Sequence, residues 1–240
     1  MLLKNGVIIL NAATEKTRTR ILLTAEKLFA EHGIDRVSMR QINLAAGQKN
    51  SSATQYHFGT KVGLIEALFD YRMEPINQRR LEMLAELNKA DTGHTLCDLV
   101  EALVHPLADQ LRTHSGGYYY IPIVAQVTGH PDYHEIAQHR SRHSSGLQQL
   151  LILLRKNLAD IPDAIILQRF GMALRQVFNE LSDYQRLHGR LHGRDNLPAT
   201  ADSGMALFIS SLVDAVSAQF CAPVSSATLQ ELDRQSKKSA

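Results

Sequence analysis

Residues Ser38 to Lys61 read SMRQINLAAGQKNSSATQYHFGTK, and this stretch decides the fold because it spells a pair of short helices jointed at a glycine. Ser38 stands just before an apolar-periodic run and Gln41 follows at the third position after it, the pattern of a capping box. Met39, Ile42, Ala45 and Ala46 fall on one helical face, which leaves Arg40 and Asn43 facing elsewhere. Gly47 stops that helix, since a residue without a Cβ adopts the left-handed conformation of a helix end at little cost. After the polar turn of Gln48, Lys49 and Asn50, Ser51 or Ser52 caps a second helix carrying Ala53 to Phe58, closed by Gly59. This second helix offers Ser, Thr, Gln, Tyr and His but no carboxylate, a surface suited to base edges and phosphate oxygens.

Upstream, a helix is expected from about Thr14 to His32, with Ile21, Leu22, Ala25, Leu28 and Phe29 as its stripe and Gly33 as its stop. Lys16, Arg18 and Arg20 crowd its start, where the helix dipole favours anions; a phosphate partner or a solvated helix end accounts for them equally. Ile34 and Val37 pack the link into the Ser38 helix. The chain of 240 residues carries a net charge of +2, which hides an uneven distribution. Residues 14 to 62 hold eight Lys/Arg against four Asp/Glu, while 63 to 240 hold seventeen against twenty, so basic charge gathers where the helix pair lies.

These residues carry a resemblance. The segment Arg20 to Leu68, with ILLTAEKLFAEHGIDRVSMRQINLAAG followed by YHFGTKVGLIEAL, resembles the N-terminal DNA-binding domain of the tetracycline-repressor (TetR) family of transcriptional regulators. The likeness rests on Leu28-Phe29, Gly33, Ser38, Ala46-Gly47, Tyr56-His57-Phe58, Lys61 and Leu64 in their order. The interval from Gly47 to Tyr56 is about two residues longer than the family's usual spacing and resembles a subgroup with a lengthened turn before the recognition helix. The resemblance implies that Ser51, Ser52, Thr54 and Gln55 face base edges, that Tyr56, His57 and Lys61 grip phosphates, and that Arg40 flanks the groove; Arg18 and Arg20 join the candidate DNA contacts on the dipole argument above. The residues' own chemistry adds that Thr60 caps the next helix, so that phosphate meets free amides, a helix dipole and the Lys61 ammonium together. Phe58 reads as a packing residue.

A long helix follows from Lys61 toward Lys89, kinked at Pro75, and it belongs to both halves of the molecule. From Leu96 onward the pattern stays helical: one stripe from Leu96 to Leu107, an apolar stretch from Tyr118 to Val127, and helices over Pro131 to about Asn157 with a break near Ser144, Pro162 to Leu187, and Gly204 to Phe220. The segment Leu187 to Gly204 reads as a long mobile loop. The expectation is an all-α protein: an arm without structure over 1–13, a three-helix helix-turn-helix domain over 14–62, a helical ligand-binding and dimerisation domain over 63–222, and a disordered tail over 223–240.

In the larger half, Tyr118, Tyr119, Tyr120, Gln126, Arg140, Arg169 and Arg175 put polar tips within apolar helices, as a pocket that orients a small molecule requires, although a helix interface satisfies such groups too. Phe170, Leu174, Val177 and Phe178 in one late helix, and Leu207, Val213 and Val216 in the last, form stripes for association or for core burial. The family resemblance implies a two-fold dimer built there. His130/His134 and His139/His143 have zinc-compatible spacing, but Pro131 breaks the first pair and no further ligands complete either, so no metal or other cofactor is expected. Enzyme motifs are missing: there is no Gly-rich phosphate loop and no Gly-x-Ser-x-Gly. Cys97 and Cys221 match no disulfide framework, which makes a reducing cytoplasm the default, and no apolar run is read as approaching the roughly 18 residues of a membrane span. The function expected is a homodimeric regulator, by family habit a repressor, that binds a palindromic DNA operator and is released by a small-molecule effector, with no membrane partner. The alternative is a ligand-binding or protein-interaction module of the same fold without an operator.

Overall fold

The computed structural model describes residues 3–4, 7–8, 12–50, 52–89, 93–111, 117–136, 144–187 and 200–238, and in it the apolar stripes of period 3.6 become helices. Helix α1 spans Ala12–His32, α2 Met39–Ala45 and α3 Ala53–Phe58. The long α4 runs over Lys61–Lys89 and continues through Pro75, followed by α5 (Leu96–Ala108) and α6 (Tyr120–Gly129). The later helices are α7 (Ser145–Asn157), α8 (Asp163–Leu187), α9 (Thr200–Cys221) and α10 (Ser226–Lys238). The fold is all-α, with short 3-10 turns at Asp109–Leu111 and Gly117–Tyr119 and, among the described residues, one antiparallel two-residue ladder pairing Leu3 with Ile8 and Lys4 with Val7.

Local chemistry sets the helix ends. The Ser38/Gln41 capping box forms as its spacing predicts: the Ser38 hydroxyl accepts from the Gln41 amide at 3.3 Å and the Gln41 side chain accepts from the Ser38 amide at 2.8 Å. A second box, Thr95 with Asp98, opens α5, and Ser144 caps α7. Gly47 takes φ +64° at the end of α2, the conformation in which a side chain would be strained.

Prolines inside helices supply the joints between them. Pro106 in α5 and Pro122 in the first turn of α6 have no N–H, so neither donates to the carbonyl four residues back. Those carbonyls belong to Ala102 and Tyr118. Arg80 of α4 donates from Nε to the Ala102 oxygen at 3.1 Å, and Gln185 of α8 donates from Nε2 to the Tyr118 oxygen. Both side chains are buried; Arg80 replaces a bond that α5 lacks with one from another helix, and Gln185 ties α8 to the Tyr118 carbonyl in the turn ahead of α6, where the helix itself has no donor to offer.

One buried apolar cluster runs from Ile21 and Phe29 of α1 through Leu64 and Leu68 of α4 to Leu103, Val177 and Val216. The two expected domains therefore share a core, with α4 and α6 as the elements common to both; α6 packs on α1 as well as on α8. Inside this core Arg72 of α4 holds Glu26 of α1 with two charge-assisted bonds, Nε to Oε1 at 2.8 Å and Nη2 to Oε2 at 2.6 Å.

Several expectations change. The tail after Pro223 is not without structure: Ser225 accepts from the Thr228 amide at 3.3 Å and starts α10, a helix of good helix formers with most of its surface exposed. At the other end the β1 (Leu3–Lys4) and β2 (Val7–Ile8) pairing lies within the arm, and α1 begins at Ala12. Helix α9 begins at Thr200, so residues 200–204 are helical and not loop; 188–199 lie outside the described residues. Gly204–Cys221 is an 18-residue window of mean hydropathy 1.4, long and apolar enough by composition to cross a membrane, which corrects the reading that no run approaches that length. Alternation of small residues with Leu, Ile and Val hides it from a simple search for continuous apolar runs. Its Met205, Ile209, Leu212, Val213, Val216 and Phe220 are buried against the rest of the chain, the pattern of a core helix with one face uncovered.

Replacing Arg72 with Met strands the Glu26 carboxylate in the core and is expected to cost about 3–5 kcal/mol. Burial, against the pull of Arg72, raises the Glu26 pKa from 4.5 to about 7, so its contribution to stability is full below about pH 4.5 and is lost as pH rises through about 7. Urea unfolding should therefore show a wider gap between wild type and Arg72→Met at about pH 8 than at about pH 5.

Candidate nucleic-acid interface and ligand cavity

The geometry of the helix pair hangs on Asn43, which the sequence reading turned outward. It is buried; its Nδ2 donates to the Asn50 carbonyl at 2.7 Å, and its Oδ1 accepts from the Thr54 amide at 3.1 Å and the Thr54 hydroxyl at 3.0 Å. One amide side chain thus ties α2 to both ends of the turn. Asn50 completes it, its Oδ1 accepting from the Ser52 amide at 3.0 Å and hydroxyl at 2.8 Å. Thr54 is consequently only 1% exposed and does not face base edges as expected; its hydroxyl is spent on Asn43. The signal that marked Asn43 was a lone amide bordering the apolar stripe ahead of a polar turn.

What this unit presents is prominent and, around Tyr56, free of carboxylates. Tyr56 is 82% exposed and stands edge-on to the half-buried His57, and Gln55, Ser52 and Arg40 are exposed around it. Ser51 lies outside the described residues. Phe58 turns inward, and Arg18 lies over its ring at 5.2 Å. Arg20, two residues on, sits on the other side of α1, where it lines a basic groove of about 810 Å³ with Lys16 and Lys27. Residues two apart do not share a helix face, so Arg18 and Arg20 serve different surfaces.

Helix α4 starts against this surface. The Thr60 hydroxyl accepts from the Gly63 amide at 3.1 Å, which caps the helix and leaves the Lys61 and Val62 amides at its positive end. Gly63 permits the close approach, since a Cβ there would collide with the Phe58 carbonyl. Lys61 reaches over the Phe29 ring at 5.8 Å, and partial burial lowers its pKa while Asp35 opposes the shift. Asp35 also meets His130 at 3.0 Å, and beside it the Ile34 amide donates to Gln126 Oε1 at 3.2 Å. The end of α6 is thereby bonded to the α1–α2 link. Gln126, expected in a pocket, is instead this domain contact.

A cavity of about 630 Å³ opens between α4, α5, α6, α7 and α8. Its walls are apolar, from Phe69 and Met73 through Val124, Leu147 and Leu151 to Phe170, Leu174 and Phe178, and its polar groups include Arg80, Tyr120 and Arg175. Of the residues assigned to a pocket from sequence, Tyr120 and Arg175 line it. Tyr118 and Tyr119 do not: they stack edge to face in the turn before α6. Arg169 donates to the Phe220 carbonyl at 2.7 Å and so closes the end of α9. Arg140 lies outside the described residues. Arg80 was missed because it looks like one more surface cation in a charged helix; Pro106, whose freed carbonyl it meets, was the available clue.

The residues assigned to a dimer surface divide in the same way. Phe170, Leu174 and Phe178 line the cavity, and Val177, Val213 and Val216 are buried within the subunit, while Leu207 is 74% exposed. Exposed apolar side chains of α8 include Leu167, Met172 and Leu187. The assigned positions were shifted because the stripes that fill a subunit's own core are the ones periodicity detects first. His130 is committed to Asp35, and the His134 Nδ1 lies 3.2 Å from the His130 carbonyl; His139 and His143 are outside the described residues.

Comparison with known proteins agrees with this geometry. The profile described as bacterial regulatory proteins, tetR family, matches residues 21–68, and that of a tetracyclin repressor-like C-terminal domain matches residues 101–218. Solved structures of similar fold include two of NalD, the secondary repressor of the MexAB-OprM multidrug efflux pump in Pseudomonas aeruginosa. One has a TM-score of 0.53 at 20% identity and covers 84% of this chain and 96% of its own. The other has a TM-score of 0.53 at 22% identity and covers 83% and 96%. No curated protein matches the chain.

Asn43→Ala removes the acceptor of two Thr54 bonds and the donor to Asn50. It should cost about 1–3 kcal/mol. Amide hydrogen exchange is expected to rise in residues 48 to 58 while α5 to α9 stay protected.

Proposed function

Since the chain belongs to the TetR family of bacterial transcriptional regulators, we propose that it is a repressor whose homodimer holds a palindromic operator and lets go when a small molecule fills the cavity. The observation that carries this reading is the double membership of α4. Its first turn closes the DNA-facing unit at Thr60 and Lys61, and its middle, at Phe69, Met73 and Arg80, walls the cavity. A ligand that changes the packing of Phe69 or Met73 acts on the same rigid rod that positions Lys61. The α6 contacts to Ile34 and Asp35 give the cavity a second attachment to that unit. Release then requires only that the ligand prefer one arrangement of α4 and α6 over the other.

Base reading falls to Gln55 and Ser52, with Ser51 beside them, and phosphate contact to Tyr56, His57 and Lys61, with Arg40 at the flank. The turn from Gln48 to Ser52, which carries Lys49 and no carboxylate and is longer than the family habit, is held through Asn43 in a form that lets α3 project. Dimerisation is supported by α9: its apolar window Gly204–Cys221, of mean hydropathy 1.4, leaves Leu207 exposed, and a second copy would cover it. Two-fold pairing there would place the α3 helices about 34–36 Å apart, one turn of DNA. Such a regulator works in the cytoplasm.

Selecting bound fragments from the host genome tests the reading: an enriched palindrome supports it, and binding with no sequence preference at moderate salt leaves a ligand-binding module without an operator. Against the selected site, Tyr56→Phe and Lys61→Ala should weaken binding to all duplexes alike, and Lys61→Ala should reduce the salt slope by about 1. Gln55→Ala should instead cost about 1–3 kcal/mol at the preferred site and relax base choice, which anisotropy titrations on matched and scrambled duplexes will separate. Leu207→Glu should leave a folded monomer by sedimentation, with operator affinity reduced to that of a single half-site.

A further inference from the structure

The chemistry of the cavity narrows what can occupy it. Its lining carries two cations, Arg80 and Arg175, and no Asp or Glu. Arg80 is 0% exposed; Nε and Nη2 are spent on the Ala102 and Leu103 carbonyls, at 3.1 and 3.4 Å, and Nη1 has no partner. Among the described residues no carboxylate forms an ion pair with it. Burial lowers its pKa to about 10, which still leaves the guanidinium charged at neutral pH. The Tyr120 hydroxyl is also fully buried and without a partner, and burial raises its pKa, so it stays a neutral donor. The acids that act on Tyr120, Glu26 and Asp70, stand outside the lining, and Glu26 is engaged by Arg72. Two buried donors with nothing to donate to therefore share one apolar chamber.

Resting on the reading that a small molecule releases the operator, the geometry points to a hydrophobic monocarboxylic acid as that molecule, its carboxylate accepting from Arg80 Nη1 and the Tyr120 hydroxyl. Its body lies among Phe69, Val124, Leu147, Leu174 and Phe178. The volume, about 630 Å³, is that of a site for a drug-sized molecule. Amphiphilic cations meet two like charges there. A neutral alcohol of the same body can accept from these donors but brings no charge to the buried guanidinium, and a charge-assisted bond to a carboxylate is about twice as strong as a neutral one. The exposed Arg175 at the cavity wall draws the same sign of charge toward the opening.

Calorimetric titration of the full-length protein tests the head group with the body held constant: decanoate against decanol and decylammonium, and naphthoate against its alcohol and methylamine analogues. At least one acid should bind, and bind about tenfold or more tightly than its alcohol and amine counterparts. Tyr120→Phe, which removes one hydroxyl and keeps the ring, should cut the acid-to-alcohol ratio several-fold, and Arg80→Gln should abolish it. Arg80 also supports α5 through the Ala102 carbonyl, so if Arg80→Gln fails to fold, Tyr120→Phe and the wild-type ratio decide. Acids that bind no better than the alcohols, a preference for the amines, a ratio unchanged in Tyr120→Phe, or no binding by either acid overturns the inference. Operator release is scored on the same samples: an acid that binds with the predicted ratio and leaves DNA bound supports the cavity chemistry and sinks the regulatory reading alone.

Discussion

The fold depends on how a helix copes with a proline it cannot hydrogen-bond around. Pro106 leaves the Ala102 carbonyl of α5 without its donor in the middle of the core, where water cannot reach it. Arg80 supplies the missing bond and so fixes α4 to α5 at a defined register. The remedy has a consequence of its own. A guanidinium has more donors than one carbonyl uses, and the remainder, Nη1, is left charged beside Tyr120 at the edge of a cavity. Helix joint and proposed ligand contact are thus the same residue.

Around that joint the molecule is laid out so that little can move alone. Helix α4 is bound to α1 by the buried Glu26–Arg72 pair, to α5 by Arg80 and to the start of α7 by Asn77, whose Oδ1 accepts from the Gly146 amide at 2.8 Å. Helix α6 carries Tyr120 and Val124 in the cavity and ends on the α1–α2 link through Gln126 and His130. A change in cavity packing therefore has two routes to the DNA-facing unit, one along α4 to Lys61 and one along α6 to Asp35, and Asp35 acts on Lys61 electrostatically. Routes of this kind transmit because packed helices settle into discrete arrangements and do not deform continuously.

The N-terminal unit was legible because its signals are local. A capping box, a glycine stop and a stripe at helical spacing each act within a few residues, and Ser38, Gln41, Gly47 and Phe58 stand where such rules place them. The site itself was less legible because burial is not a local property. Thr54 and Asn43 look as polar as Gln55, yet their side chains satisfy each other inside the unit. Gln126 and Arg169 looked like pocket groups, yet they bond a backbone amide and a helix-end carbonyl contributed by distant segments. The C-terminal stripes showed that α8 and α9 pack, but not that Val177 and Val216 do so within one subunit while Leu207 is left outside. A proline and the arginine that answers it lie 26 positions apart in the chain, and no periodicity connects them.

The claim on which the rest turns is that filling the cavity moves the DNA-reading helices through α4 and α6. Pulsed electron resonance between spin labels at Gln55→Cys in the two subunits measures this directly, in protein whose exposed Cys97 and Cys221 have been replaced. Without ligand the separation should include the span of about 34–36 Å that successive major grooves demand. With the carboxylic acid bound, the distribution should shift away from that span. An unchanged distribution in protein that has bound the acid and lost its operator would contradict it.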